Sequence, residues 1–121
     1  MPTHRMDAHL PLKPEVLHIL FSLLDGERHG YAIIRDVEER TDGRVAMRPG
    51  VLYRHLHRML ADGLVVESER RPAPDRDDER RRYYDVTPLG RRVAALEIAR
   101  MQEMVREGVA RKLVTGDGGA S

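Results

Sequence analysis

Residues 71–80 read RPAPDRDDER, and no regular element can hold them. Two prolines remove backbone donors, and the dense mixture of charges offers no apolar face. On both sides the pattern turns strand-like. Leu64-Val65-Val66 opens a run that continues to Arg70, and RRYYDVT resumes one over residues 81–87. Two such runs around one polar loop predict an antiparallel hairpin. Any fold for this chain must therefore carry a hairpin late in an otherwise mostly helical order.

Three helices are predicted before the hairpin. The first spans Pro14 to Leu24, with Pro at its first position and Asp25-Gly26 as its stop. Its apolar residues go most of the way round, so it is expected to be central and covered on several sides. The second spans Gly30 to Thr41 and turns Ala32, Ile33, Ile34 and Val37 inward; Asp42-Gly43 ends it. Arg44-Val45-Ala46 reads as a very short strand. The third helix spans Pro49 to Ala61 and is closed by Asp62-Gly63. After the hairpin, Thr87-Pro88 reads as an N-cap with Pro at the first helical position, opening a long helix over residues 88–113. The organisation is an irregular arm (1–13), a helical domain with its hairpin (14–87), the long helix (88–113) and a Gly-rich tail (114–121). The class is mainly α, of the α+β kind.

Composition excludes several functions. There is no Cys among the 121 residues, so disulfide and thiolate chemistry are out. His55 and His57 lie two apart, pointing roughly 200° from each other on a helix, and cannot share an ion. His4, His9, His18 and His29 have no ligand spacing. No cofactor or metal is expected, and no nucleophile motif or phosphate loop points to an enzyme. No apolar run approaches the roughly 18 residues that span a bilayer, and the first residues lack the apolar core of a signal peptide. A soluble cytoplasmic protein is expected, with no membrane partner.

The charge pattern is more telling than its sum. Charged residues make up 34% of the chain, yet the formal net charge is +1. A basic footprint must therefore be local. From Arg44 to Arg58 there are four arginines and no acid, with Asp42 and Asp62 flanking the window. On the third helix Leu52, Leu56 and Met59 form one apolar stripe. Gly50, Arg54, His57, Arg58 and Ala61 lie opposite. A solvated helix face ordinarily mixes signs. An arginine face without acids gains by displacing counterions from DNA, and Arg reads guanine bidentately in the major groove. Gly50 lets a phosphate backbone approach the helix N-terminus. The competing reading is a basic face that is merely soluble.

The hairpin holds six arginines and seven acids from residue 67 to 85. Arg70 and Arg71 stand at one base of its loop and Arg80, Arg81 and Arg82 at the other, where they either meet phosphates or pair across the strands. Strand alternation turns Val86 and Tyr84 inward and Tyr83 outward, which makes Tyr83 a candidate phosphate donor. The long helix would run about 39 Å. Leu89, Val93 and Leu96 suit packing onto the domain. Ala94, Ile98, Met101 and Val105 form a second, heptad-like stripe that a small domain cannot cover, and it calls for a partner helix.

Three helices followed by a hairpin is the order of a winged helix-turn-helix. The strings HGYAI, PGVLYRHLHRM and RRYYDVTPLG, in this order and spacing, resemble the PadR family of transcriptional regulators over residues 10–105. The resemblance implies a homodimer that binds pseudo-palindromic operator DNA, usually as a repressor, with the third helix in the major groove and the hairpin as a wing on the backbone. By position it implies DNA contacts from Tyr31, Tyr53, Arg54 and Tyr83. On the bottom-up reading Tyr53 lies on the flank of its helix, its hydroxyl within reach of a phosphate. The family often has a small or capping residue before Pro-Gly. Here Arg48 stands there; it cannot cap by accepting a hydrogen bond, and it adds charge where phosphate would lie. The resemblance also implies that the last helix pairs across the dimer against the partner's first helix, which brings in Leu17 and Phe21. A small-molecule effector would sit near Phe21, Met101 and Met104. Some relatives bind flat drugs in a Trp-lined pore; this chain has no Trp. The alternative is a winged helix that binds protein, whose contact face should be apolar or mixed in charge.

Overall fold

The computed structural model describes residues 8–69 and 82–114. Helix α1 (Pro14–Leu24) is followed by a two-residue strand β1 (Arg28–His29), then α2 (Gly30–Arg40), α3 (Pro49–Ala61), β2 (Val65–Glu67), β3 (Tyr83–Val86) and α4 (Pro88–Ala110). The three strands form one antiparallel sheet in the order β1-β3-β2. This is the predicted α+β architecture.

The first and third helices start and stop where the sequence signals predict. Pro at the first position presets φ for α1, α3 and α4, where its missing N–H costs nothing. Leu17, Ile19, Leu20 and Leu23 of α1 are buried, and the helix lies against α2, α4 and β3, as an all-round apolar helix should. Ile33 and Val37 of α2, the α3 stripe Leu52, Leu56 and Met59, and Tyr84 and Val86 of β3 complete the core.

The short strand is not where it is predicted. Residues 44–46 form no strand. Asp42 and Gly43 take positive φ to close α2, and the Val45 amide donates to Thr41 Oγ1 at 3.0 Å. A neighbouring side chain thus takes the donor a strand would use. The extra strand is Arg28–His29, paired with Tyr84 and Tyr83. Two residues carry no legible alternation, and only β3 makes them a strand.

Two joints lock the hairpin to α4. Thr87 caps the helix, its Oγ1 accepting the Gly90 N–H at 3.0 Å and donating to the Gly63 carbonyl at 2.6 Å. Gly90 lies so close to β2 that a Cβ there would overlap the Leu64 carbonyl oxygen. Helix α4 ends at Ala110, short of the predicted residue 113, because Lys112 turns to φ 62. Its 23 residues span about 35 Å.

Residues 8–13 are not a free arm. Leu10 and Leu12 pack on the core. The Leu12 N–H donates to the Glu97 carboxylate at 2.9 Å, and Glu97 is fully buried on α4.

Candidate nucleic-acid interface

Helices α2 and α3, joined by the turn through Asp42-Gly43, have the form of a helix-turn-helix. The burial of α3 splits cleanly by face. Leu52, Leu56 and Met59 are buried, while Gly50, Arg54, His57, Arg58 and Ala61 are exposed. Arg48 is exposed at the N-cap and makes no capping bond with its side chain. Its carbonyl accepts the Leu52 N–H at 3.0 Å, so the backbone closes the first turn without it.

The electrostatics differ from place to place. Arg28 and Arg40 share Asp25 and Asp36 beside α2, and Arg40 Nε reaches Asp36 at 2.9 Å. Arg100, Arg106 and Arg111 each face an acid one turn away on α4. Arg44, Arg48 and Arg54, in contrast, make no ion pair among the described residues. Arg58 is half-satisfied: its Nε lies 3.4 Å from Asp62, and its side chain is 81% exposed. The acid-free island therefore survives folding at its N-terminal end and is partly neutralised at its C-terminal end.

Tyr53 corrects an expectation. It is only 8% exposed and belongs to the core. Its ring reaches back to the start of α2, where a Cβ on Gly30 would overlap its hydroxyl. The flank position read from the helical wheel is filled by the α2 N-terminus, so the hydroxyl faces protein and not the outer surface. Tyr31 is half-buried in the first turn of α2.

On the wing side, Tyr84 is buried and Tyr83 half-buried, as alternation predicts. Tyr83 meets the His29 ring edge-on at 5.5 Å between centroids. Arg82 Nε stands 3.8 Å from Glu67 across the strands. Arg71, Arg80 and Arg81 lie outside the described residues.

Two side chains of this region carry no sequence signal. His55 turns inward from α3, and its Nε2 lies 2.8 Å from Glu15 of α1. His29 caps α2 by accepting the Ala32 N–H at Nδ1, 3.1 Å away. Histidine is not among the usual capping residues, so a propensity reading passes over it.

The residues proposed for self-association divide. Leu17 and Ala94 are buried within the chain's own core, which withdraws them from any outer surface. Phe21, Ile98 and Met101 are half-buried, and Val105 is 56% exposed. Ile98, Met101, Gln102, Val105 and Arg106 line an open groove of about 310 Å³ along α4.

A profile of the PadR-like family of transcriptional regulators matches residues 16–96. The chain belongs to that family. It is similar to the transcriptional regulator Rv3488 of Mycobacterium tuberculosis, 41% identical over 91 residues that cover 75% of this chain and 78% of the relative. The fold is also that of a transcriptional regulator from Clostridium thermocellum (TM-score 0.66, 23% identity, covering 84% and 90% of the two chains). It is likewise that of Bacillus subtilis PadR, solved in complex with operator DNA (TM-score 0.59, 19% identity, covering 70% and 45%). This PadR-like regulator has the winged-helix frame of these relatives, with Arg44, Arg48 and Arg54 exposed on it.

Proposed function

We propose that this regulator is a homodimeric repressor that binds a pseudo-palindromic operator. In this reading α3 lies in the major groove, and β2 and β3 lie on the phosphate backbone. One observation carries it: Arg48 and Arg54 stand exposed at the N-terminal half of a helix whose opposite face is wholly buried, with no acid to pair them among the described residues. Such guanidiniums gain most from phosphates and guanine edges. The protein-binding alternative would favour an apolar or charge-balanced face there. Gly50 leaves open space at the helix start, with nothing within 4 Å of where a Cβ would stand.

Support for the dimer comes from α4, where Met104 and Val105 are exposed beside the apolar groove. A two-fold pair would offer two α3 helices to half-sites about one DNA turn apart or a multiple of it. The repressor direction is carried by the family resemblance. The α4 groove beside Met101 suits an apolar effector, which would act by changing how two copies pair.

Selection on a random duplex library tests the reading, with affinities then measured across salt concentrations. A two-fold-symmetric motif whose affinity falls steeply with salt is expected. No enriched motif, or an affinity indifferent to salt, overturns it.

A further inference from the structure

The joint between β1 and α2 touches both surfaces that DNA binding would use. His29 ends β1 and is the N-cap of α2. Its Nδ1 accepts the Ala32 N–H. The edge contact with Tyr83, at 79° between planes, joins two residues that are also cross-strand partners. The next residue, Gly30, is pressed against Tyr53 of α3. One dipeptide thus meets the wing through its first residue and the proposed recognition helix through its second.

We propose that His29 is a positioning residue that sets the wing against α3, holding the α2 N-terminus through Nδ1 and Tyr83 through the ring. This rests on the DNA-binding reading above and adds the residue that fixes the spacing between its two contact surfaces. The physical need is plain. Strand β1 has only two register pairs with β3, and pairing that short is weak alone. Ser, Thr, Asp or Asn would cap α2 equally well but would offer Tyr83 no aromatic surface. Imidazole supplies an acceptor and a ring edge in one side chain.

Two substitutions separate these roles. His29→Asn keeps a capping acceptor and removes the ring; His29→Phe keeps the ring and removes the acceptor. The probe is the top-ranked duplex from the selection, titrated at several salt concentrations alongside a duplex with one altered base pair. His29→Asn is expected to stay folded and bind about three- to tenfold more weakly, the size of a lost aromatic pair. Its salt dependence should fall by about one phosphate contact per wing, while discrimination between the two duplexes is kept. His29→Phe should lower thermal stability and keep the salt dependence. Because His29 acts through Tyr83, adding His29→Asn to Tyr83→Leu should cost no further affinity.

Hydrogen exchange of the Ser68 amide, which donates to the Tyr83 carbonyl at 2.8 Å, reads the same coupling without DNA. It should speed up in His29→Asn. Unchanged affinity, salt dependence and exchange in His29→Asn overturn the proposal, as do losses that add to those of Tyr83→Leu. If the wild type binds no duplex, the DNA-binding reading falls, and the exchange measurement alone decides whether His29 holds the wing.

Discussion

At the scale of single residues, Arg54 and Gly90 mark opposite kinds of constraint. Arg54 is exposed and without an ion pair among the described residues. Arg54→Ala should leave the folded state intact and reduce operator affinity by about 1–3 kcal/mol. Repeating the duplex selection with the variant should show relaxed preference at one position in each half-site. Gly90 is the reverse case, since a Cβ there would overlap the Leu64 carbonyl oxygen and crowd Val86. Backbone cannot swing aside as a side-chain end can, so Gly90→Ala should destabilise the fold by about 2–3 kcal/mol. Urea unfolding reads this directly, and an unchanged midpoint would mean that the β2–α4 junction is looser than its geometry.

At the scale of elements, Glu97 ties α4 to the segment before α1. Arg100 beside it, and secondarily the Leu12 N–H, hold its carboxyl below the ordinary carboxylate value, against the opposing pull of burial. A carboxyl with a lowered value in the folded state contributes stability that is complete above the ordinary carboxylate range. That contribution is lost as pH falls through the lowered value. Glu97→Gln should therefore be less stable than wild type near pH 7, with the gap between the two closing as pH drops into the acid range. Urea midpoints at a series of pH values check this; a gap that stays constant with pH would show that the tie is not ionic. The same element supplies the hairpin's anchor through Thr87, which holds both the Gly63 carbonyl and the first turn of α4. Thr87 thus joins the turn before β2 to the start of α4.

At the scale of the whole molecule, the exposed α4 groove is where the proposed dimer is tested. Val105 is exposed on its edge and touches nothing in the core. Val105→Glu should leave the domain folded and shift the protein to monomer in sedimentation equilibrium. Operator affinity should fall with it, since each monomer holds one half-site. A variant that remains dimeric would move the interface away from this groove.

Much of this was legible in the residues. Helical period, Pro at first positions and Asp-Gly stops determined α1 and α3 with their boundaries, because those signals act within one or two turns. The strand-like runs on either side of residues 71–80 determined β2 and β3 as an antiparallel pair. Period also determined which face of α3 is wet, since Leu52, Leu56 and Met59 leave a helix only one way to face the core. Tertiary structure decided much of the rest, through partners distant in sequence. Strand β1 exists because β3 lies beside it. Tyr53 turns inward because Gly30 leaves space for its ring. His55 is drawn in by Glu15, 40 residues away, and Glu97 by an amide 85 residues away. Ala94 looks free for a partner on a helical wheel, and Leu17 is offered to one by the family resemblance, yet both are used up within the chain. Local patterns report what a residue prefers, and only the assembled core fixes which neighbour reaches it first.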